Sequence, residues 1–234
     1  MNNFNHTNFD SFASEYRSVH SQNLHFTGAD SEFYSEYKIL EVLKRTKNDA
    51  PTLILDFGCG DGTTSYFFSK HFPDQFIHGI DISAASIKIA IDKKIANSEF
   101  KIFDGEIITF DSETFDVVFI ANVLHHIDFE LHQQVLSECH RVLKHNSSVF
   151  IFEHNPLNPV TRKLFNDCIF DRDAKLLHQK YLHEQMRLSG FEQIKTSYHL
   201  FFPRQKIFKV FHYLEPYLTA VPIGGQYCIQ GIKS

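Results

Sequence analysis

The pattern of apolar and polar residues changes its period near Thr52. Before that point, apolar side chains recur at helical spacing over Phe9–His20 and over Ser31–Arg45, and Asp30 can cap the second segment. The apolar face predicted for the second helix consists of Phe33, Tyr37, Leu40 and Leu43. Thr52–Phe57 is then a short, mostly apolar run bounded by Pro51 and Gly58, which is typical of a buried parallel strand.

Strands and helices alternate over the next hundred or so residues. The predicted strands are Phe76–Ile80, Glu99–Phe103, Phe115–Ala121 and Ser148–Phe152. The predicted helices are Thr63–His71, Ser83–Ile95 and Glu130–Leu143. This alternation requires right-handed crossovers, so we predict an α/β fold with a doubly wound, mostly parallel, Rossmann-like sheet.

The last third of the chain departs from this alternation. We predict helices from Pro156 to Asp167 and over His178–Ser189, the second of them stopped by Gly190. Phe191–Leu200 and Gln226–Ile232 are predicted strands that can pair antiparallel at the sheet edge, and an aromatic-rich insertion lies between them. We therefore expect a single domain over residues 1–234, with a helical lid at 1–48, a core at 50–153 and substrate-side elements at 156–234.

Composition and charge narrow the class of protein. The chain has 234 residues, is 43% hydrophobic and carries a net charge of -5, without a basic cluster that would bind nucleic acid. Its four cysteines are scattered and its 15 histidines show no metal-binding spacing, so we expect neither a disulfide framework nor a metal site. No apolar run reaches the roughly 20 residues that span a bilayer, and the N-terminus lacks a signal peptide pattern, so we expect a cytoplasmic protein.

The first predicted strand ends in the glycine-rich stretch Asp56-x-Gly58-x-Gly60-x-Gly62. A loop between a strand and a helix N-terminus is a general site for a polar ligand. The third glycine of a dinucleotide-binding motif is replaced here by Thr63. The carboxylate in front of the glycines would repel a pyrophosphate and attract an ammonium group.

Further carboxylates follow the next two predicted strands. Asp81 comes 19 residues after the last glycine of the loop, where an acidic residue can bind ribose hydroxyls. Asp104 and Gly105 follow the third strand, where a side-chain acceptor can meet an adenine amino group. Ile82 and Phe103 are placed to flank the adenine ring.

Together these motifs resemble the class I S-adenosylmethionine (SAM)-dependent methyltransferases that act on small molecules, of the type 11/12 group. The similar stretches are residues 55–62, 79–83, 115–118 and 121–127, and the resemblance covers roughly residues 50–153. It implies a seven-stranded sheet with a reversed last strand, SAM as cofactor, and contact of Asn122 with the methionine part of SAM. The residues expected to bind SAM are Asp56, Gly58, Cys59, Gly60, Gly62, Asp81, Ile82, Asp104, Gly105, Asn122 and Tyr16, the last on a helix that folds over the cofactor in similar enzymes.

The remaining strand ends, near residues 122–126 and 153–155, are expected to face the methyl acceptor. A hydroxyl acceptor must lose a proton, and the candidate bases are His154 and Glu153, followed by His126 and His125. Arg162 either binds an anionic group of the substrate or is a solvated helix residue. We expect a small or medium-sized metabolite as substrate and favour oxygen over nitrogen or carbon as the acceptor.

Other functions stay open at this point. The chain could be a SAM-binding sensor or accessory subunit without turnover, or a nicotinamide-dependent oxidoreductase. The aromatic stretch from Phe201 to Tyr217 could roof an apolar pocket, belong to the core or, with Arg204, Lys206 and Lys209, touch a membrane surface that carries a lipid-linked substrate. Methylation of DNA amino groups is disfavoured because no Asn/Asp-Pro-Pro-aromatic motif follows the fourth strand. The sequence does not indicate an oligomeric state.

Overall fold

A computed structural model describes residues 30–46, 52–168 and 174–234. The helix predicted over Phe9–His20, and with it the proposed cofactor contact of Tyr16, lies outside the described residues. The helix predicted for Ser31–Arg45 is present with the expected bounds.

The strands form one seven-stranded sheet of order β3-β2-β1-β4-β5-β7-β6. Their bounds are Leu53–Phe57 (β1), Phe76–Asp81 (β2), Ser98–Ile102 (β3), Phe115–Ala121 (β4), Leu143–His154 (β5), Glu192–His199 (β6) and Gln226–Ile232 (β7). Strands β1 to β5 pair in parallel, whereas β7 runs antiparallel to both β5 and β6. The predicted Rossmann-like sheet with one reversed strand near the C-terminus is confirmed.

Helices connect the strands and cover the sheet. Their bounds are Ser31–Arg45 (α1), Thr63–His71 (α2), Ala84–Asp92 (α3), His132–Val142 (α4), Pro159–Asp167 (α5), Gln179–Leu188 (α6) and Glu215–Leu218 (α7). The described residues also include 3-10 helices at Leu124–His126, Phe129–Leu131 and Lys206–Leu214. Among these residues, no helix combines the length and the apolarity required to cross a bilayer.

The strand order reverses at β1, which lies between β2 and β4. The chain segments that follow β2 and β4 therefore run over opposite faces of the sheet. In sheets of this kind, such a reversal leaves a crevice outside the carboxyl ends of the two strands, here β1 and β4. Asp56 and Phe57 end β1 there, and Ala121 ends β4 beside them. The fold therefore brings the glycine loop and the residues after β4 to one edge of the sheet.

The buried face of α1 differs from the predicted one. Asp30 caps the helix as expected, because its carboxylate accepts a hydrogen bond from Phe33 N at 2.9 Å. The buried residues are Lys38, Ile39 and Val42, while Phe33 and the other predicted apolar positions are only half-buried. Tyr37 and Leu43 of the predicted face do pack against the core, but α1 packs beside α2 and over the sheet at once, which centres the most buried stripe on Ile39 and Val42.

Strand β5 begins five residues earlier than predicted and extends two residues further. Its first residue, Leu143, pairs with Phe115 of β4, and its last, His154, pairs with Gln226 of β7. These long-range pairings extend the strand beyond the apolar stretch that the sequence shows. The extension carries Glu153 and His154 to the carboxyl edge as part of the sheet.

Candidate active site

The glycine loop turns sharply between β1 and α2. Gly58, Gly60 and Gly62 all have left-handed backbone, with φ of +72°, +52° and +78°. A Cβ atom on Gly58 would collide with the side chain of Val123, whereas a Cβ on Gly60 would meet no atom within 4 Å. Gly58 is therefore required by packing, and Gly60 borders open space at the sheet edge where a ligand can approach the backbone.

Cys59 does not present its side chain to that space. Its side chain is buried, and Sγ lies 2.9 Å from the position that a Cβ on Gly79 would occupy. The prediction of Cys59 as a cofactor contact is therefore wrong for its thiol, because the missing side chain of Gly79 leaves room for the sulfur beneath β2. Burial raises the pKa of this thiol well above its usual value, which keeps it protonated.

Asp56 is a buried carboxylate at the end of β1. Its Oδ2 accepts hydrogen bonds from the hydroxyls of Thr64 and Ser65, each at 2.6 Å. Burial raises the pKa of Asp56 to about 6, although the two hydroxyls oppose this rise. The side chain thus ties the first turn of α2 to β1 with one oxygen.

Asp81 at the end of β2 supports the loop directly. Its Oδ2 accepts from Gly60 N at 2.8 Å, and its Oδ1 accepts from Ser83 N at 2.9 Å. These two bonds fix the carboxylate between the glycine loop and the start of the following helix. Next to it, the half-buried side chain of Ile82 packs against the core beneath this edge.

Asp104 and Gly105 form a turn after β3. The exposed Asp104 accepts hydrogen bonds from Glu106 N and Ile107 N at 2.8 and 3.2 Å, which lower the pKa of its carboxyl. Gly105 allows the turn because its φ is +88°. Phe103, predicted to flank adenine, is instead buried in edge contact with Phe57 at 5.4 Å between ring centroids, so it belongs to the core.

Asn122 follows β4 in a left-handed conformation, with φ of +57°. Its backbone N–H donates to Phe152 O at 2.9 Å. Its side-chain Oδ1 is buried and has no hydrogen-bond partner within the described residues. An unsatisfied buried acceptor costs about 1–3 kcal/mol, so this oxygen is available to accept a hydrogen bond from a ligand.

Three histidines and a glutamate meet at the carboxyl ends of β4 and β5. His125 packs on His126 at 4.2 Å and on His154 at 5.5 Å between ring centroids. Nδ1 of His125 lies 2.6 Å from Oε2 of Glu153, whose Oε1 accepts from Leu124 N at 3.0 Å. Burial raises the pKa of Glu153, but the charge and hydrogen bond of His125 outweigh it and the pKa lies below its usual value.

These four side chains differ in exposure. Glu153 and His125 are buried, whereas His126 and His154 are half-buried. Phe165 of α5 touches the cluster, with its ring centroid 5.6 Å from His125 and 5.8 Å from His154. In the part of the chain that the structure describes, no three His, Cys, Asp or Glu side chains are arranged to hold a metal ion.

Several known proteins with similar sequences are methyltransferases. Residues 54–146 match a family model described as a methyltransferase domain. The chain is 31% identical over 108 residues to the demethylmenaquinone methyltransferase of Thermotoga maritima, which covers 46% of each protein. It is 28% identical over 100 residues to the ubiquinone biosynthesis O-methyltransferase of Coxiella burnetii, which covers 42% of this chain and 41% of the relative. Residues 54–146 are therefore a methyltransferase domain.

The fold of a solved methyltransferase agrees with this assignment. A SAM-dependent methyltransferase from Thermotoga maritima, described as a possible histamine N-methyltransferase, matches with a TM-score of 0.67 at 18% identity. That match covers 97% of this chain and 98% of the other. By contrast, the aligned regions span less than half of the length of the two named relatives.

The geometry of the crevice fits SAM, the cofactor of this family. The open space at Gly60 admits a ligand to the backbone, and the unsatisfied Oδ1 of Asn122 can accept a hydrogen bond from an ammonium group. Asp81 and Asp104 stand at the ends of neighbouring strands, where two separated polar parts of one ligand can reach them. SAM as the predicted cofactor is confirmed by the family.

Lys38 was not singled out by the sequence analysis, which placed Asn155 at this edge without predicting its structural contacts. Lys38 of α1 is buried, and burial lowers its pKa to about 8 although the charge of Glu153 opposes this. Asn155, directly after β5, is buried and its Nδ2 donates to Pro222 O and Gly224 O at 3.1 and 2.7 Å. The one feature of the sequence that indicates their buried positions is that each is a polar residue beside apolar neighbours.

Arg162 lies on the surface of the protein. It is exposed on α5 and lines a shallow surface depression with Lys163 and Asn166, whereas Thr161 and Phe165 are the buried residues of this helix. The exposure of Arg162 agrees with a solvated helix residue, and its contact with an anionic group of the substrate stays a prediction.

Proposed function

We propose that this methyltransferase transfers the methyl group of SAM to an oxygen atom of a small or medium-sized metabolite. The observation that carries the proposal is the histidine cluster, His125, His126 and His154, beside the glycine loop. A hydroxyl acceptor must lose a proton during transfer, and imidazole is well suited to take it near neutral pH. The similarity to an enzyme named as an O-methyltransferase supports the same choice.

We assign the cofactor as follows. SAM supplies an electrophilic methyl group on its sulfonium when bound. Asp56, the loop glycines and Asn122 would hold its methionine part, since they offer carboxylate, backbone and amide groups at the switch point. Asp81 would accept from ribose hydroxyls, and Asp104 with Gly105 and Ile82 would border the adenine.

We assign the proton acceptor to His154, with His126 as the alternative. Both rings are half-buried and therefore able to touch an acceptor, whereas Glu153 and His125 are enclosed. Both oxygens of Glu153 are already engaged, so it acts as a positioning residue that fixes the His125 ring. His126 and His154 pack against that fixed ring, which orients them toward the crevice edge.

The test is incubation with methyl-labelled SAM and separate aqueous and lipid fractions of a cell extract, followed by mass spectrometry of labelled products. We expect a labelled product whose methyl group sits on oxygen, and a loss of turnover of roughly a hundredfold in His154→Ala with SAM affinity retained. A product methylated on nitrogen or carbon would exclude the oxygen acceptor. SAM binding in calorimetry without turnover on any fraction would favour an accessory role.

A cofactor-site variant provides the matched control. Asp81→Asn keeps one acceptor for Gly60 N–H or Ser83 N–H and removes the charge that would face the ribose. We expect its SAM affinity to fall roughly tenfold or more, through loss of charge-assisted hydrogen bonds. Turnover at saturating SAM should persist in this variant, in contrast to His154→Ala.

A further inference from the structure

The 3-10 segment between β6 and β7 exposes an apolar face. Ile207, Val210, Phe211 and Leu214 recur at helical spacing and have relative exposures of 79%, 65%, 43% and 49%. An amphipathic helical segment normally turns such a face toward the protein core. Here no residue of Lys206–Leu214 or Glu215–Leu218 is buried, so the apolar face is presented outward.

Aromatic side chains extend this surface, and internal contacts hold its shape. Tyr213 and Tyr217 are largely exposed, and tyrosine suits a boundary between an apolar and an aqueous phase. Phe211 stacks on Phe202 at 5.5 Å between ring centroids, and Arg204 forms an ion pair with Glu215 at 2.7 Å. We call residues 203–223 the docking segment.

The charge of the docking segment is positive. Lys206 and Lys209 are exposed and form no ion pair within the described residues, and Glu215, the one acid between positions 203 and 223, is engaged by Arg204. This local excess of cations contrasts with the net charge of -5 of the chain. The surface therefore combines exposed apolar and aromatic groups with cations, which suits an anionic lipid surface.

The docking segment lies at the same sheet edge as the histidine cluster. It leaves the sheet after His199 and returns at Gln226, and Gln226 pairs with His154 at the end of β5. Asn155 and Asn158 donate hydrogen bonds to the carbonyls of residues 222–224. The last part of the segment is thereby fixed to the loop that follows His154.

We propose that residues 203–223 dock this protein on the surface of an anionic phospholipid bilayer. The surface fits a bilayer better than a second copy of the chain. A twofold interface would bring like patches together, and Lys206 and Lys209 would then approach their own counterparts. Access of the acceptor site to lipid-dissolved metabolites would follow, and that consequence, unlike docking itself, rests on the proposed function.

The test is co-sedimentation of the full chain with vesicles of phosphatidylcholine, with and without about one third phosphatidylglycerol. We expect binding to the anionic vesicles to exceed binding to the neutral ones by roughly tenfold, and to weaken at high salt. The double variants Ile207→Ser with Val210→Ser, and Lys206→Gln with Lys209→Gln, should each lose roughly tenfold in binding. Their targets are solvent-exposed, so the fold should survive, which circular dichroism verifies.

Matched controls use exposed residues elsewhere. Ile91→Ser with Leu188→Ser removes two exposed apolar side chains from α3 and α6, and Lys88→Gln with Lys180→Gln removes two exposed cations. These variants should bind anionic vesicles like the unaltered chain. Absence of vesicle binding, or equal losses in target and control variants, would overturn the proposal. A dimer that forms with rising protein concentration and is abolished only by the Ile207 and Val210 changes would also overturn the proposal. It would show that a second copy of the chain covers this surface.

Discussion

Nδ1 of His125 lies 2.6 Å from Oε2 of Glu153, and both side chains are almost fully enclosed. The carboxylate thereby places a negative charge behind the histidine cluster, where burial strengthens its effect. Glu153→Gln keeps a hydrogen-bond acceptor but removes the charge. We expect turnover of the acceptor found with labelled SAM to fall roughly tenfold, while SAM affinity is retained.

The pH dependence of that variant separates a role in proton transfer from a structural one. Without the neighbouring charge, a proton on the cluster is less stable, so the acidic limb of the pH–rate profile should move to lower pH. Glu192→Gln, an exposed change on β6, is the control and should leave the profile in place. A lower rate with an unmoved profile would show that Glu153 only supports the fold.

The raised pKa of Asp56 predicts a stability that depends on pH. The pKa of Asp56 is about 6 in the folded protein, whereas its ordinary value is 3.8. The folded state therefore holds the proton more tightly than the unfolded state does. The resulting stabilisation is complete below pH 3.8 and is lost as pH rises through about 6. Above that range the buried charge opposes folding. Asp56→Asn should therefore raise the free energy of unfolding at pH 8 by up to about 3 kcal/mol, with little difference below pH 4.

Urea unfolding at the two pH values measures this difference. Asparagine still offers an oxygen to the hydroxyls of Thr64 and Ser65, so the comparison isolates the charge. We expect the more stable variant to bind SAM less tightly, because the carboxylate that would attract the ammonium group is gone. A difference in stability that stays constant from pH 4 to pH 8 would contradict the assigned burial effect.

Substitution by alanine should have different consequences at Gly58 and at Gly60. Gly60→Ala places Cβ in open space, so it should cost only the roughly 1–2 kcal/mol of a left-handed residue while weakening SAM binding. Gly58→Ala adds a collision with Val123 to the same backbone strain and should unfold at a clearly lower temperature. Thermal unfolding and calorimetry with SAM distinguish the two. Unchanged SAM affinity in Gly60→Ala would remove this loop from the cofactor site.

The lowered pKa of Lys38 predicts that the free energy of unfolding rises with pH. Burial lowers its pKa to about 8, whereas the unfolded chain holds this proton up to about 10.5. The unfolded state therefore binds more protons between these values, and the free energy of unfolding increases as pH rises from 8 to 10.5. Lys38→Met should remove that rise and add up to about 3 kcal/mol at pH 7, as measured by denaturant unfolding. The exposed control Lys88→Met should follow the unaltered chain.

Local patterns in the sequence were sufficient for the bounds of several helices and strands. The helices at Thr63–His71 and Ser31–Arg45 and the strands at Phe115–Ala121 and Gln226–Ile232 have the predicted bounds. They are bounded by glycines, caps or a change of period, all of which act within a few residues. The order of acidic residues after β1 to β3 follows from the same alternation and did not need tertiary information.

The other features depend on packing between distant residues. The engagement of Glu153 by His125 requires the pairing of β4 with β5, and the enclosure of Lys38 requires α1 to lie over the sheet. The thiol of Cys59 turns inward because Gly79 of another strand leaves space for it. The sequence showed an aromatic insertion but not which way its apolar face points, because spacing defines a face and only its neighbours decide whether it is covered.

The reversed direction of β7 has a consequence for how this protein can change. Its first residue lies level with the last residues of β5 and β6, so the chain between β6 and β7 starts and finishes on the acceptor side. Insertions or deletions in that connection shift no register among β1 to β5, which carry the glycine loop. Under the proposed function, acceptor choice can therefore diverge among descendants of this gene by loop exchange, while recognition of the methyl donor is inherited intact.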